Sequence, residues 1–142
     1  MNFTGEEEKR SREDEILIDQ VIGAAIAVHE ALGPGFVEAI YGKSLAIELS
    51  TLAIPFIEEQ PIAVHYRGES VGAGRLDFLV HSRLIVELKS VESLLPIHTA
   101  QVISYLKITN LPFGLLINFN VPILKQGLRQ VTHPRLYRQK SS

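Results

Sequence analysis

An α/β domain, a mixed β-sheet flanked by helices in the order α-α-β-β-β-α-β, is what this sequence predicts. Two apolar stripes at helical spacing precede residue 53, and short β-rich runs follow from Phe56. A third helical stretch from Pro96 then leads into "LPFGLLINF", which has the texture of a buried strand. Alternation of this kind places helices on the faces of a sheet, with loops and strand ends left to hold a site.

Each element has a local cause. Ser11-Arg-Glu-Asp14 resembles a capping box, and Leu17, Val21, Ile22, Ala25, Val28 and Leu32 recur behind it at helical spacing up to Gly33. "GPG" at Gly33 to Gly35 breaks that helix, and a second is predicted over Phe36 to Leu52 with Val37, Ile40, Leu45 and Leu49 on apolar positions. "FIEEQPIAVHY", "SVGAGRLDFLV" and "LIVELKSV" read as an antiparallel meander, turning at Arg67-Gly68-Glu69 and at His81-Ser82. Pro96 opens the third helix, which runs to about Thr109. "ILKQGLRQV" reads as a final strand or short helix.

At 142 residues the chain fits one domain, expected over residues 14–133 between a charged tail at 1–13 and a basic tail at 134–142. Hydrophobic residues make up 46% and the net charge is -2, so disorder is excluded and overall charge announces no polyanionic partner. The absence of cysteine excludes disulfides and thiolate metal sites and favours a cytoplasmic setting. With no apolar run near the roughly 20 residues that cross a bilayer, no membrane association is expected. Charge is uneven: the first fifteen residues carry six acids, whereas Lys125, Arg129, Arg135, Arg138 and Lys140 close the chain without one. Two solvated ends account for this, or a basic face that meets phosphates.

The stretch "RLDFLVHSRLIVELKS" places charges where burial is expected. Side chains alternate along a strand, so Ile85, Glu87 and Lys89 share one face while Leu84, Val86 and Leu88 share the other. A hairpin turning near His81-Ser82 brings Asp77 beside Glu87 and Lys89. Such a trio can be an ordinary ion-pair network. On a strand this apolar, however, charges are expensive unless they are fully paired or coordinate a metal.

The pattern Asp77…Glu87-Leu88-Lys89, in this order of elements, resembles the D…(D/E)xK core of the PD-(D/E)XK nuclease superfamily. Gly35-Phe-Val-Glu38-Ala-Ile-Tyr41 resembles the motif that names the GxxExxY protein family, the similarity running from about Ile16 to Val131. Gln101-Val-Ile-Ser-Tyr105 is similar to the QxxxY motif of exonuclease-type members. Leu76 stands where the superfamily often has proline.

What the resemblance implies is a restriction-endonuclease-like core that hydrolyses phosphodiester bonds in DNA or RNA. Asp77 and Glu87 would be hard oxygen ligands of Mg²⁺, with Mn²⁺ as a substitute, and Glu38 would reach the metal or a metal-bound water. Lys89 would stand beside the attacking water or the charged transition state, and Gln101 would fix a water or a phosphate oxygen. Tyr105 and Tyr41 would contact substrate, and Arg75, just before the core strand segment, is read either as a phosphate contact or as a surface ion pair. Glu38, Tyr41, Leu45 and Glu48 form one stripe at spacings of three and four, read either as the wall of a polar cleft or as a solvated flank. His98 shares a face with Gln101 and Tyr105 and is either structural or a proton-transfer group. The alternative to a nuclease is a catalytically idle module of the same fold that binds nucleic acid or a protein. Without a strong basic surface, affinity for a long polymer would come from self-association or a partner protein.

Overall fold

The computed structural model describes residues 11–136. Residues 1–10 of the expected N-terminal tail and 137–142 of the basic C-terminal tail lie outside the described residues. Helix α1 spans Arg12–Leu32, where the Ser11 hydroxyl accepts from the Asp14 amide at 3.0 Å and three acids occupy the first turn. Its buried stripe is Leu17, Ile18, Val21, Ala24, Ala25 and Val28; Leu32, expected on that stripe, is exposed beside the Gly33 terminus.

Helix α2 is Glu38–Thr51, two residues shorter at its start than the sequence predicts, because Val37 is extended (φ -76°, ψ 159°) and acts as the N-cap. It buries Tyr41, Leu45 and Leu49, which leaves Val37 and Ile40 exposed against expectation. The meander is β1 Phe56–Tyr66, β2 Glu69–Val80 and β3 Leu84–Lys89, antiparallel throughout. Helix α3, Pro96–Thr109, carries the chain across so that β4, Phe113–Asn118, lies parallel to β3. The closing segment contains both expected forms, a 3₁₀ turn at Leu124–Gly127 and strand β5 at Leu128–Thr132, antiparallel to β4.

The sheet is therefore five-stranded and mixed, in the order β1-β2-β3-β4-β5. Helices α1 and α2 cover one face, packing on Phe78, Val80, Leu84, Val86, Leu88, Leu115 and Ile117. Helix α3 covers the other through Val102 and Leu106 on Leu76, Ile85, Leu116 and Val131. Its approach needs Gly114 on β4, where a Cβ would stand 2.7 Å from Val102 Cγ1. No helix among the described residues is long and apolar enough to cross a membrane.

Candidate active site

Helical sheet cover on both faces makes β3 apolar, yet Glu87 lies within it at 4% exposure. Its position follows from alternation. Leu84, Val86 and Leu88 join the α1/α2 side and Ile85 the α3 side, so Glu87 points toward α3. Asp77 sits where β2 loses that regularity. Leu76 packs with α3 but Phe78, two residues on, packs with α1 and α2. The ladder lapses at the same place. Pairing to β1 runs from Phe56↔Val80 to Glu58↔Phe78 and resumes at Gln60↔Leu76, while pairing to β3 stops at Phe78↔Val86. Opposite Asp77, Glu59 has a left-handed backbone (φ 53°) that non-glycine residues seldom adopt.

Two side chains replace the missing ladder bonds. The Asp77 amide donates to Glu87 Oε2 at 2.9 Å, and the Leu88 amide donates to Asp77 Oδ2 at 2.8 Å. Both carboxylates are thereby fixed side by side at the mouth of the splayed strands. Burial pushes Glu87 up to about 8, the negative charge of Asp77 adds to this, and the Asp77 amide and the Lys89 ammonium oppose it. Lys89 is half-buried. Among the described residues the ion pairs are Arg75–Glu59 and Arg83–Asp14, so Lys89 is locked to neither acid and the ordinary ion-pair network does not form.

On α3, Gln101 Nε2 donates to the Tyr105 hydroxyl at 3.3 Å. Burial raises the Tyr105 phenol above its ordinary range, with Glu87 and Asp77 adding to the effect and Gln101 opposing it. The QxxxY pair thus stands within the field of the two carboxylates. His98 is used otherwise: its Nδ1 accepts from the Leu95 amide at 3.0 Å and caps the start of α3.

A cleft of about 570 Å³ opens on the α2 side, lined by Asp77, Glu38, Lys43, Glu58, Glu59 and Arg75 over a floor of Phe78 and Leu88. Glu38, the first residue of α2, is exposed on the cleft wall. Among the described residues no three His, Asp or Glu side chains gather closely enough to hold a metal ion, so the expected three-carboxylate cluster of Glu38, Asp77 and Glu87 is not formed. The reason is geometric: Asp77 and Glu87 are joined through the sheet, whereas Glu38 reaches the cleft from a helix terminus. Arg75 lies beside it, its guanidinium 3.6 Å from Glu59 in a pair about two-thirds exposed on both sides. Glu48 is half-buried on α2 and does not line the cleft.

Tyr41 corrects the sequence reading most sharply. It is fully buried, stacked on Phe119 at 4.4 Å between ring centroids, and its hydroxyl donates to Gly33 O at 2.5 Å while accepting from the Phe36 amide at 3.2 Å. With both sides of the hydroxyl engaged, it faces no substrate. It instead clamps the loop around Gly35, whose φ of 106° only glycine adopts readily, and so sets where α2 and Glu38 begin. The same loop is tied to the end of β3, since Ser90 Oγ donates to Phe36 O at 2.5 Å. Asn118, buried opposite Lys89, holds the following loop by accepting from the Val91 amide and donating to Val91 O, each at 3.0 Å. Ser90, Asn118, Lys43, Glu58 and Glu59 were not singled out by sequence reasoning. Only the Glu58-Glu59 doublet inside a β-rich run offered a signal.

A splayed strand pair that holds two carboxylates, with an amine and a Gln–Tyr helix beside them, defines an α/β restriction-endonuclease-like domain. The family model of the PD-(D/E)XK nuclease superfamily matches residues 15–131, and the chain belongs to that superfamily. No curated protein matches the chain.

Proposed function

We propose that this protein is a divalent-metal-dependent nuclease hydrolysing phosphodiester bonds in DNA or RNA, of the kind suggested by its GxxExxY-like motif. The observation that carries the reading is the interlocked Asp77–Glu87 pair, whose second carboxyl is held back from ionising by burial and by the neighbouring Asp77 charge. Two adjacent carboxylates fit Mg²⁺, which is commonly held by one or two such groups and completes its shell with water and substrate phosphate rather than with an all-protein cage. When bound, Mg²⁺ or Mn²⁺ supplies Lewis acidity at a phosphoryl oxygen and lowers the pKa of water.

The chain's own residues do the rest. Lys89 carries an ammonium that no carboxylate among the described residues holds in an ion pair, and it would meet charge developing on phosphate oxygens. Tyr105 keeps its proton and can donate to the same oxygens, its orientation set by Gln101. Arg75 is tied to Glu59 only by a solvent-exposed contact, of the sort worth roughly 0–1 kcal/mol, so a phosphate can take its place. Glu38, across the cleft, serves as an acceptor for water on the substrate's far side.

Purified protein with Mg²⁺ or Mn²⁺ is expected to cut at least one of single-stranded, duplex or structured DNA and RNA, and Asp77→Asn to abolish this while staying folded. An anomalous peak between Asp77 and Glu87 in Mn²⁺-soaked crystals is the structural counterpart. Absence of cleavage on all these substrates with both metals sinks the enzymatic reading and leaves a binding module.

A further inference from the structure

On the opposite flank of α3 from Tyr105 lies a second cavity of about 570 Å³, lined by Lys107, Asn110, His133 and Arg135. Successive residues of a helix turn by about 100°, so Tyr105 and Lys107 fall on either side of buried Leu106. His133 follows β5 and is 6% exposed. The amides of Arg135 and Leu136 both donate to its Nδ1, at 2.9 and 3.1 Å, which places the ring proton on Nε2. Among the described residues nothing accepts from that Nε2–H. A buried donor left unpaired is costly, and native structures normally supply it with an acceptor.

The surroundings specify what kind. Lys107 and Arg135 bring two positive charges to the cavity, and no acid among the described residues lines it. Burial, then Arg135 and Lys107, hold His133 below its ordinary pKa, so the ring stays a neutral donor rather than a third cation. Asn110 adds an amide at the left-handed C-cap of α3. An imidazole N–H, an ammonium and a guanidinium fork together suit an oxyanion with several acceptor oxygens.

We propose that this cavity binds a phosphate group, with His133 Nε2–H, Lys107 and Arg135 as its donors. A diester in a nucleic-acid strand and a free phosphate present the same oxygens here. A phosphate held at this site is held whether or not the cleft beyond α3 cuts.

The test is an NMR titration of the full-length protein in EDTA, following the His133 Nε2–H resonance. The probes are inorganic phosphate, short single-stranded oligonucleotides with and without a 5′-phosphate, and acetate. A saturating shift with phosphate identifies a free or terminal phosphate as ligand, and a shift confined to the oligonucleotides identifies a backbone diester; either supports the site. No shift with any phosphate probe overturns it, as does an equal affinity for acetate. The Lys107→Ala/Arg135→Ala variant should weaken binding roughly tenfold or more. His133→Asn keeps an acceptor for the two amides but lacks the Nε2 donor, so affinity should fall with Tm near wild type; unchanged affinity overturns the assignment. A shift in a protein that cleaves nothing leaves this site standing and removes the nuclease reading alone.

Discussion

Asp77 and Glu87 are joined by a main-chain to side-chain hydrogen bond of 2.9 Å, which holds Glu87 next to the charge that, after burial itself, most opposes its ionisation. The consequence for stability has a definite sign. In the unfolded chain Glu87 ionises near 4.5, but in the folded protein near 8, so between those values the native state binds the extra proton. Stability of the metal-free protein should therefore fall as pH rises from about 4.5 to 8 and level off above. Glu87→Gln, which keeps an acceptor for the Asp77 amide, should flatten that slope and stabilise the metal-free protein by about 1–3 kcal/mol at pH 8. Urea titrations at several pH values in EDTA read both effects.

The same linkage predicts how metal binding responds to pH. A cation that needs both carboxylates ionised must displace the Glu87 proton, so Mn²⁺ affinity should rise with pH up to about 8 and binding should release a proton. Calorimetry in buffers of different ionisation enthalpy measures that proton directly. Mn²⁺ should also raise the Tm of the wild type, since it binds only the native state, and should do so far less in Asp77→Asn. A wild-type Tm indifferent to Mn²⁺ at millimolar concentration contradicts the prediction.

Lys89 and Arg75 should behave differently although both are cations near the acids. Lys89 has no ion-pair partner among the described residues and is half-buried at the end of β3. Lys89→Met should lower kcat by about 10²-fold or more with little change in substrate affinity. Arg75 is exposed and weakly held, so Arg75→Ala should raise KM several-fold and leave kcat nearly unchanged. Steady-state kinetics on one cleaved oligonucleotide separates the two.

Elements with strong periodicity were legible in the sequence, and so was the hairpin that pairs Asp77 with Glu87. The alternation of "LIVELK" correctly divides β3 between two faces. What the sequence could not show is how β2 departs from alternation at Asp77, because the departure lies opposite a left-handed Glu59 on a neighbouring strand, and no local rule places a glutamate there. Glu38 enters the site through the resemblance, as a partner of the metal or of a metal-bound water, and helical spacing could not choose between these because it reports direction around an axis and not the distance from that axis to the sheet. The resemblance puts Tyr41 among the substrate contacts, and its place on the stripe with Glu38 and Leu45 is the same whether its hydroxyl faces a cleft or closes a loop eight residues back.

That loop gives the next prediction. Tyr41→Phe retains the ring against Phe119 but leaves Gly33 O and the Phe36 amide without their partner, for a loss of about 1–3 kcal/mol. Because the loop starts the helix bearing Glu38 and is tied through Ser90 to the strand end bearing Lys89, cleavage should fall at temperatures where the variant is fully folded. Faster hydrogen exchange at Phe36, with α1 amides unchanged, would locate the effect. Activity equal to wild type in a folded Tyr41→Phe protein counts against this role.

A control lies far from the cleft. Arg83, in the turn after β2, donates from Nε and Nη2 to both oxygens of Asp14 at 2.5 and 2.9 Å and so fastens α1 to the hairpin carrying Asp77. The Arg83 guanidinium holds the Asp14 carboxyl below its ordinary range, against the opposing effect of burial. A depressed carboxylate contributes stability above its unfolded pKa, and that contribution disappears as pH falls through the folded value. With Arg83 half exposed to solvent, Asp14→Asn should cost about 1–2 kcal/mol at pH 7 and progressively less below about pH 4. Mn²⁺ affinity and kcat should be unaffected at 25 °C, because the pair sets how firmly the hairpin is attached and not where its acids point. Chemical denaturation at pH 7 and pH 3, alongside metal titration of the same variant, distinguishes an anchoring contact from one that shapes the site.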